Sequence, residues 1–280
     1  MPMQFEFLEL TETKATFIVS GTAPYFVNAL RRTLIADVPK MAIEDVEFHL
    51  GPIRDSSGKE FESIFPIFDE IVAHRLGLLP IPTDLDFFTF RDKCKCGGEG
   101  CPSCRIMYKL NKMGPCTVYS GDLEPLDDPK LAIKDDLIPI VKLAEGQAPL
   151  VYATAYLGTG SMHAKWQVCS GVGYKYYPII EVDTKKCEGD GKCVEKCPRG
   201  VLKVDKKKAV VENPRACILC NACQEVCEYK AITVRGDDTK FIFTFETDGS
   251  VPAQRALTYA LKLLEERFTE FREKLGEEME

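Results

Sequence analysis

The stretch Tyr25–Phe48, with the sequence YFVNALRRTLIADVPKMAIEDVEF, decides the fold of this chain. In its first half, apolar side chains recur at every fourth position, at Phe26, Leu30, Leu34 and Val38. This spacing predicts a helix with one apolar stripe, bounded by Pro24 and by Pro39, since proline cannot continue a helix. In its second half, apolar residues are separated by acidic ones, at Met41, Ile43, Val46 and Phe48. The stretch is therefore interpreted as a helix that leads into a strand.

The two ends of the chain show the patterns of a hairpin and of a long helix. Residues 3–20 alternate in polarity around a polar turn at 11–14, and residues 241–246 alternate with phenylalanine at every second position. Ser250 is expected to cap the long helix, with Pro252 in its first turn. The apolar residues of this helix follow steps of four and three, at Leu257, Leu261, Leu264, Phe268, Phe271 and Leu275. Such heptad spacing predicts an apolar partner along the helix, in the same domain or in another chain.

Shorter sequence patterns predict a helix, strands and a loop in the middle of the chain. A helix is expected over about 66–79, strands over 137–157, and a loop at 55–59. The apolar face of the helix is predicted to hold Ile67, Ile71, His74 and Leu78. A Gly-x-Gly pattern at 158–160 lacks the final Gly-Lys-Ser/Thr of a P-loop, so a nucleotide-binding interpretation is discarded.

Composition narrows the class of protein. A chain of 280 residues, 45% hydrophobic and 28% charged, can form two or three domains. It shows neither an apolar run of the ~18 to 20 residues that a membrane span needs nor a signal-peptide pattern, which predicts a cytoplasmic protein. The net charge of −7 argues against a free-standing DNA-binding module. Thirteen cysteines in a non-exported chain indicate metal rather than disulfides, and eleven of them form two groups.

The first group of cysteines lies in the stretch CKCGGEGCPSC at 94–104. The four thiols, at Cys94, Cys96, Cys101 and Cys104, have glycines between them that allow tight turns. Four thiolates at this spacing suit one tetrahedral ion and leave no open position for a substrate. A structural zinc site is therefore predicted, with unmetallated thiols as the alternative.

The second group is the strongest chemical signal in the chain. Its last four cysteines have the spacing C-x2-C-x2-C-x3-C of bacterial-type ferredoxins, and thirty positions earlier the pattern recurs with Asp190 in place of one cysteine. In a two-cluster ferredoxin, each half supplies three ligands to one cluster and its last cysteine to the other. Cluster one is thus assigned Cys187, Asp190, Cys193 and Cys227, and cluster two is assigned Cys197, Cys217, Cys220 and Cys223. A zinc ribbon or a disulfide remnant is the alternative.

Asp190 changes the chemistry expected of cluster one. A carboxylate is a harder and weaker ligand for an iron-sulfur core than a thiolate. Cluster one is therefore expected to be either an aspartate-ligated 4Fe-4S cluster or a 3Fe-4S cluster, whereas cluster two is expected to be 4Fe-4S. Glu228 also replaces the proline that usually follows the last cysteine. The lysines at 206–208 are expected to form a solvated turn between the two halves, with a partner-binding patch as the alternative.

Three motifs resemble the alpha-like subunits of multisubunit RNA polymerases, and archaeal members in particular. They are Asn28-Ala29-Leu30-Arg31-Arg32 with Asp37-Val38-Pro39 and Ala42-Ile43-Glu44, the string AHRLGLLPI at 73–81, and Gly158, Gly160, His163, Ala164, Lys165 and Trp166. A proline expected shortly after Trp166 is missing. The resemblance covers nearly the whole chain, and some members of this family also carry a zinc loop.

The resemblance implies an α+β architecture with nested domains. Residues 1–48 and 235–280 would form a discontinuous dimerisation domain, 49–180 an insert domain with the zinc-type loop, and 181–234 a ferredoxin-like domain with two clusters. The side chains expected at the dimer interface are Phe26, Leu30, Leu34, Leu257, Leu261, Leu264, Phe268 and Phe271.

The function implied by the resemblance is assembly. The chain would pair with the smaller alpha-like subunit L and present a platform for subunits N and P and the two large catalytic subunits. It would hold no catalytic residue, would contribute to nucleotidyl transfer only within the complex, and would meet DNA only there. The clusters would stabilise the fold or make assembly sensitive to oxygen or iron supply. The alternative function is a ferredoxin-type electron carrier.

Overall fold

A computed structural model of the chain describes residues 2–54, 58 and 60–279, in which α-helices and β-strands are mixed. The helices are α1 Pro24–Ala36, α2 Asp69–Gly77, α3 Lys192–Lys196, α4 Ala222–Glu225 and α5 Ala253–Met279. The strands are β1 Gln4–Leu10, β2 Lys14–Ser20, β3 Pro39–Phe48, β4 Pro52–Arg54, β5 Glu60–Glu62, β6 Arg105–Asn111, β7 Cys116–Tyr119, β8 Leu123–Pro125, β9 Pro139–Leu143, β10 Leu150–Thr159, β11 Cys169–Val182, β12 Leu202–Asp205, β13 Lys208–Val211 and β14 Ile232–Thr247. Short 3-10 turns lie at Arg91–Lys93, Ser120–Asp122, Pro129–Leu131, Ala164–Trp166 and Pro214–Ala216.

The stretch that opened the sequence analysis forms the predicted helix and strand. Helix α1 begins at Pro24, and β3 begins at Pro39 after a turn in which Asp37 and Val38 donate hydrogen bonds to the Thr33 carbonyl. Leu30 and Leu34 on the predicted stripe are buried, while Phe26 is half-buried. The helix-strand prediction is therefore confirmed, as is the N-terminal hairpin of β1 and β2.

The chain divides into two compact units, and the first comprises Met1–Glu9, Ala15–Arg31 and Gly173–Thr244. Its main sheet has the strand order β1-β2-β14-β11. Phenylalanine rings fill one side of this sheet: Phe17 stacks on Phe243 at 5.2 Å between centroids and also contacts Phe5. A separate apolar core, in which four buried cysteines pack with residues such as Val201, Leu202 and Ile232, holds α3, α4 and the β12–β13 hairpin together.

The second unit comprises Leu10–Lys14, Arg32–Val172 and Phe245–Glu280. Its sheet has the order β3-β10-β6-β8, with all neighbours antiparallel, and two small hairpins pair β4 with β5 and β7 with β9. The core of this unit is formed by the buried faces of these strands, including Met41, Tyr108 and Val151. The predicted division into dimerisation, insert and ferredoxin-like domains stays a prediction.

Three local expectations need correction or fall outside the structure. The inward face of α2 is formed by Val72 and Leu76, neither of which belongs to the predicted stripe, and Ile71 and Leu78 are exposed. Ser250 does not cap α5: its hydroxyl donates to the Asp248 carboxylate at 2.5 Å, and the helix begins at Ala253. Most of the predicted loop at 55–59 lies outside the described residues. Within the described part of the chain, no helix is long and apolar enough to cross a membrane.

Candidate functional site

The four cysteines of the loop at 94–104 come together in space. Their sulfur atoms all lie within 4.8 Å of one another. The Sγ–Sγ distance is 3.5 Å between Cys94 and Cys101, 3.6 Å between Cys96 and Cys104, and 3.9 Å between Cys101 and Cys104. A cluster of four thiols at this spacing could hold a metal ion.

The backbone of this loop is shaped around the sulfur atoms. Gly97, Gly98 and Gly100 adopt φ values of 67°, 88° and 96°, which favour glycine because it has no Cβ. Backbone N–H groups of Cys101 and Gly100 point at Cys96 and lower the pKa of that thiol to about 5. Burial raises the pKa of Cys104 to about 12. A cation would favour the thiolate form of both residues, since thiolate is the ligand form of cysteine.

The cysteines at 187–227 lie in two segments of backbone with the same conformation. Helix α3 in the first segment corresponds to α4 in the second, and each follows a residue with left-handed φ, Gly191 at 79° and Asn221 at 61°. In both segments a cysteine sulfur accepts a hydrogen bond from the backbone N–H four residues later, Val201 to Cys197 at 3.4 Å and Ala231 to Cys227 at 3.3 Å. The sequence repeat is therefore also a structural repeat.

The two predicted ligand sets lie in different neighbourhoods. Burial raises the pKa of Cys193, and negative charge at Cys187, Asp190 and Cys227 adds to the shift. Burial likewise raises the pKa of Cys223, with contributions from Cys197 and Cys217. The residues assigned to cluster two, namely Cys197, Cys217, Cys220 and Cys223, line one small cavity together with apolar side chains. Cys193 and Cys223 thus each interact with residues of the ligand set to which the sequence assigns them.

Two lysines, Lys175 and Lys208, contact the two halves of the cysteine repeat. No sequence pattern indicated the first contact, and the second lysine was expected to be solvated. Lys175 on β11 donates its Nζ to the carbonyls of Arg215 at 2.7 Å and Cys217 at 2.9 Å, and burial lowers its pKa. Lys208 donates to the carbonyl of Cys187. The expectation of a fully solvated lysine turn is therefore wrong for Lys208, although its two neighbours are exposed. A single lysine in a strand such as Lys175 carries no sequence signal of such a contact.

The residues expected at the dimer interface differ in exposure. On α1, Leu30 and Leu34 are buried within the chain itself, so only Phe26 of that set is partly accessible. On α5, Leu257 and Leu264 are buried and Leu261 is half-buried, whereas Phe268 is 62% exposed and Phe271 is 65% exposed. The apolar stripe of α5 therefore continues beyond the part that its own chain covers.

The motif at 158–166 has a packing role. The indole N–H of Trp166 donates to the carbonyl of Tyr156 at 3.0 Å, and the ring lies so close to Gly158 that a Cβ there would be 2.4 Å from it. The Lys165 ammonium lies over the Trp166 ring at 4.5 Å and pairs with Glu44. This motif therefore connects β10 to the middle of β3 through side-chain contacts.

Comparison with known proteins identifies the class of protein to which this chain belongs. The RNA polymerase Rpb3/Rpb11 dimerisation domain matches residues 16–268 of this chain. The chain is 46% identical to DNA-directed RNA polymerase subunit Rpo3 of Picrophilus torridus, with 97% of this chain and 99% of that protein covered. It is 46% identical to the Rpo3 subunit of Thermoplasma volcanium, with 98% and 100% covered, and 41% identical to that of Archaeoglobus fulgidus, with 96% and 97% covered. The chain belongs to the archaeal Rpo3 family of alpha-like RNA polymerase subunits.

Proposed function

We propose that this chain is a non-catalytic assembly subunit of an archaeal RNA polymerase that forms a heterodimer with the small alpha-like subunit L. The heterodimer presents a platform for subunits N and P and the two large catalytic subunits. The observation that carries this proposal is the exposed end of the α5 stripe, at Phe268 and Phe271, in a chain that matches an RNA polymerase dimerisation domain.

The exposed phenylalanines argue for a partner on energetic grounds. Full burial of a phenylalanine side chain contributes about 1.5–3 kcal/mol, and two of them lie on the same stripe of one helix. Leu275 extends the stripe and is 49% exposed. A second apolar helix that covered this stripe would continue the heptad packing that Leu257 and Leu264 begin within the chain.

A co-purification experiment tests the heterodimer. The tagged chain is expressed together with subunit L of the same host, and the amount of L recovered is measured for the native chain and for Phe268→Asp/Phe271→Asp. We expect this double variant to lose most of the bound L. Lys262→Asp is the matched control, because Lys262 is 69% exposed on the same helix but off the stripe. Equal recovery of L with both variants would contradict the proposed interface.

The second part of the proposal is a ferredoxin-like domain with two iron-sulfur clusters. Cys197, Cys217, Cys220 and Cys223 would hold cluster two as 4Fe-4S, and Cys187, Asp190, Cys193 and Cys227 would hold cluster one as 4Fe-4S or 3Fe-4S. The repeated backbone supports this assignment, because N–H donors directed at cysteine sulfur stabilise thiolate ligands. Such bonds occur at Cys187, Cys197, Cys217 and Cys227. When bound, the clusters would add cross-links between segments that their apolar core already joins.

The third part of the proposal is a structural zinc ion at Cys94, Cys96, Cys101 and Cys104. Zinc–sulfur bonds of about 2.3 Å in a tetrahedron place neighbouring sulfurs about 3.8 Å apart. The distances of 3.5–3.9 Å between three pairs of these sulfurs match that value.

Metal analysis with matched variants tests the second and third parts. The chain is purified anaerobically from its host, and iron, sulfide, zinc and co-eluting polymerase subunits are quantified. We expect Cys217→Ser/Cys220→Ser/Cys223→Ser to lose iron and sulfide and to yield less assembled polymerase, because ligation stabilises the segment that binds the cluster. Cys101→Ser/Cys104→Ser should lose zinc alone. Cys116→Ser is the control, since Cys116 lies in neither group.

The electron-carrier alternative is not favoured. The relatives that match along nearly the full chain are named as RNA polymerase subunits. Purification of the chain with an oxidoreductase and without subunit L or the large subunits would reverse this preference.

A further inference from the structure

The two halves of the cysteine repeat can be compared with each other position by position. The two halves differ at many positions, and three of these differences place charged side chains that contact one another: Asp190 stands where the other half has Cys220, Lys192 where it has Ala222, and Glu228 where it has Pro198. Under the proposed ligand assignment, Asp190 and the cysteine before Glu228 both belong to cluster one. The three charged residues therefore concentrate beside one cluster, and the equivalent positions beside cluster two are uncharged apart from the cysteine ligand.

These three side chains contact one another in the structure. The Lys192 Nζ lies 2.5 Å from the Glu228 carboxylate and 3.9 Å from Asp190 Oδ2. Asp190 Oδ1 accepts a hydrogen bond from the backbone N–H of Lys192 at 3.3 Å. The ammonium is thus held mainly by Glu228, and Oδ2 of Asp190 makes only a long contact with it. One carboxylate oxygen of Asp190 is engaged with the backbone while the other remains available.

The arrangement has a chemical consequence for a metal at Asp190. A carboxylate is a weaker ligand than thiolate for iron in a sulfide core, so an iron held there is exchanged more readily than one held by cysteine. The Lys192 ammonium competes with the iron cation for the Asp190 carboxylate. The Glu228 carboxylate binds this ammonium and so relieves the competition. The relative distances of Lys192 to its two partners should therefore set the affinity of the Asp190 position.

We propose that Asp190 is a replaceable ligand for the fourth iron of cluster one, and that Glu228 keeps this position available by holding the Lys192 ammonium away from Asp190. Lys192 and Glu228 act as positioning residues, since neither is assigned as a ligand. This inference rests on the proposed cluster assignment. The chain would then hold one permanent cluster and one whose iron content follows the supply of ferrous iron.

The exchange requires no further reactant. A three-iron core with four sulfides and no net charge takes up one Fe2+ and becomes a four-iron core of charge 2+, so iron and charge both balance. Loss of the iron is the reverse step. A three-iron core in its oxidised state needs one electron first, which dithionite supplies in the experiment below.

The experiment uses the full chain, purified anaerobically with its clusters, and the electron paramagnetic resonance signal of the oxidised three-iron core. Chelation with EDTA, followed by one-electron oxidation with ferricyanide, should produce this signal. After reduction with dithionite and incubation with graded amounts of Fe2+, the fraction of the signal that no longer returns on re-oxidation gives an affinity for the fourth iron. Asp190→Cys, which copies the other half, should no longer produce the signal on chelation. Total iron and sulfide, measured in parallel, report whether the clusters are present.

The roles of Lys192 and Glu228 are tested with two variants that should change the affinity for Fe2+ in opposite directions. Lys192→Ala removes the competing ammonium and should increase the affinity for Fe2+ by roughly tenfold, the lower end of what changes in residues around metal ligands cause. Glu228→Pro releases the ammonium toward Asp190 and should decrease the affinity by a similar factor, and Lys192→Arg should stay near the native value. Because all three side chains are partly exposed, high salt should shrink both differences.

The outcomes distinguish failure of the cluster assignment from failure of this inference alone. A chain without iron and sulfide overturns the cluster assignment and this inference together. A chain with both clusters that never shows the three-iron signal, or that shows it equally in Asp190→Cys, overturns the inference and leaves the proposed function intact. Shifts of the same sign in Lys192→Ala and Glu228→Pro overturn the role given to the positioning pair.

Discussion

The buried ion pair between Lys40 and Asp248 carries the largest stability effect that the structure allows us to work out. Lys40 lies at the start of β3 and Asp248 in the turn before α5, 208 positions apart in sequence. The Lys40 side chain is 3% exposed and that of Asp248 is 28% exposed. Asp248 also accepts hydrogen bonds from the backbone N–H and the hydroxyl of Ser250. The pair therefore fixes the strand that follows α1 to the segment between β14 and α5.

The two single variants should differ in cost because the two partners differ in exposure. Loss of one partner of a buried pair costs about 3–5 kcal/mol. Asp248→Asn keeps an oxygen for Ser250 but leaves the buried ammonium without a counter-charge, so we expect a loss of about 3 kcal/mol. Lys40→Met leaves a carboxylate that water can reach, so we expect about 2 kcal/mol. The double variant leaves no charge behind and should lose only about 2 kcal/mol, far from additive.

Trp166 provides the assay, since it is the only tryptophan in the chain and belongs to the same compact unit as the pair. Its fluorescence during urea unfolding gives the free energy of unfolding of that unit for each variant. In a unit of roughly 150–250 residues, a loss of about 3 kcal/mol lowers the thermal midpoint by about 6–12 °C. Lys274→Met is the control, because the exposed pair of Lys274 with Glu270 should contribute less than about 1 kcal/mol. Additive losses in the double variant would refute the reasoning.

Four further predictions concern packing, hydrogen bonding and the predicted metal sites. Gly158→Ala should cost about 1–3 kcal/mol and change the Trp166 emission, because its Cβ would lie 2.4 Å from the indole ring, whereas Gly173→Ala, with no atom within 4 Å, should cost little. Tyr108→Phe should lose about 1 kcal/mol in urea unfolding, because its hydroxyl donates to the Leu131 carbonyl at 2.7 Å in a buried site. Lys175→Gln should lower the reduction potential of cluster two and leave that of cluster one unchanged, as measured by redox titration, because it removes a positive charge beside Cys217 alone. Acidification should release zinc from the 94–104 loop, as followed with a zinc-sensitive dye, because protons compete with the metal for thiolates; release independent of pH would contradict thiolate ligation.

Helix α1, the start of β3 and the turns of the 94–104 loop were predictable, because each depends on residues that lie close together in the sequence. The four-residue spacing between Pro24 and Pro39 predicted α1 and the start of β3, since proline restricts the backbone wherever it lies. The three glycines of the 94–104 loop likewise predicted its tight turns, and all three adopt positive φ. The grouping of four sulfurs was predictable because the spacing of the cysteines limits how far apart they can lie.

Contacts between distant parts of the chain were not predictable in the same way. Nothing near Lys40 in the sequence indicates that it is buried against a carboxylate 208 positions away. The apolar face of α2 was misplaced because Ile71 and Val72 are both apolar, and only the strands packed against the helix decide which of them is buried. The exposed phenylalanines of α5 show the same limit, since the heptad pattern cannot distinguish a stripe covered by its own chain from one that needs another.

The cysteine repeat lies between these two cases, because half of its backbone geometry has a sequence signal and half does not. Gly189, Gly191 and Gly200 adopt left-handed φ in the first half, and glycine predicts this. Leu219, Asn221 and Lys230 adopt the same conformation at the equivalent positions of the second half, where non-glycine residues cost of order 1–3 kcal/mol each. Contacts around the sulfur atoms help to hold the backbone there, such as the N–H of Leu219 donating to Cys217 Sγ at 3.4 Å. The left-handed conformation at Leu219 should therefore depend on the state of Cys217, whereas the equivalent conformation at Gly189 in the first half needs no such contact, because glycine adopts it readily.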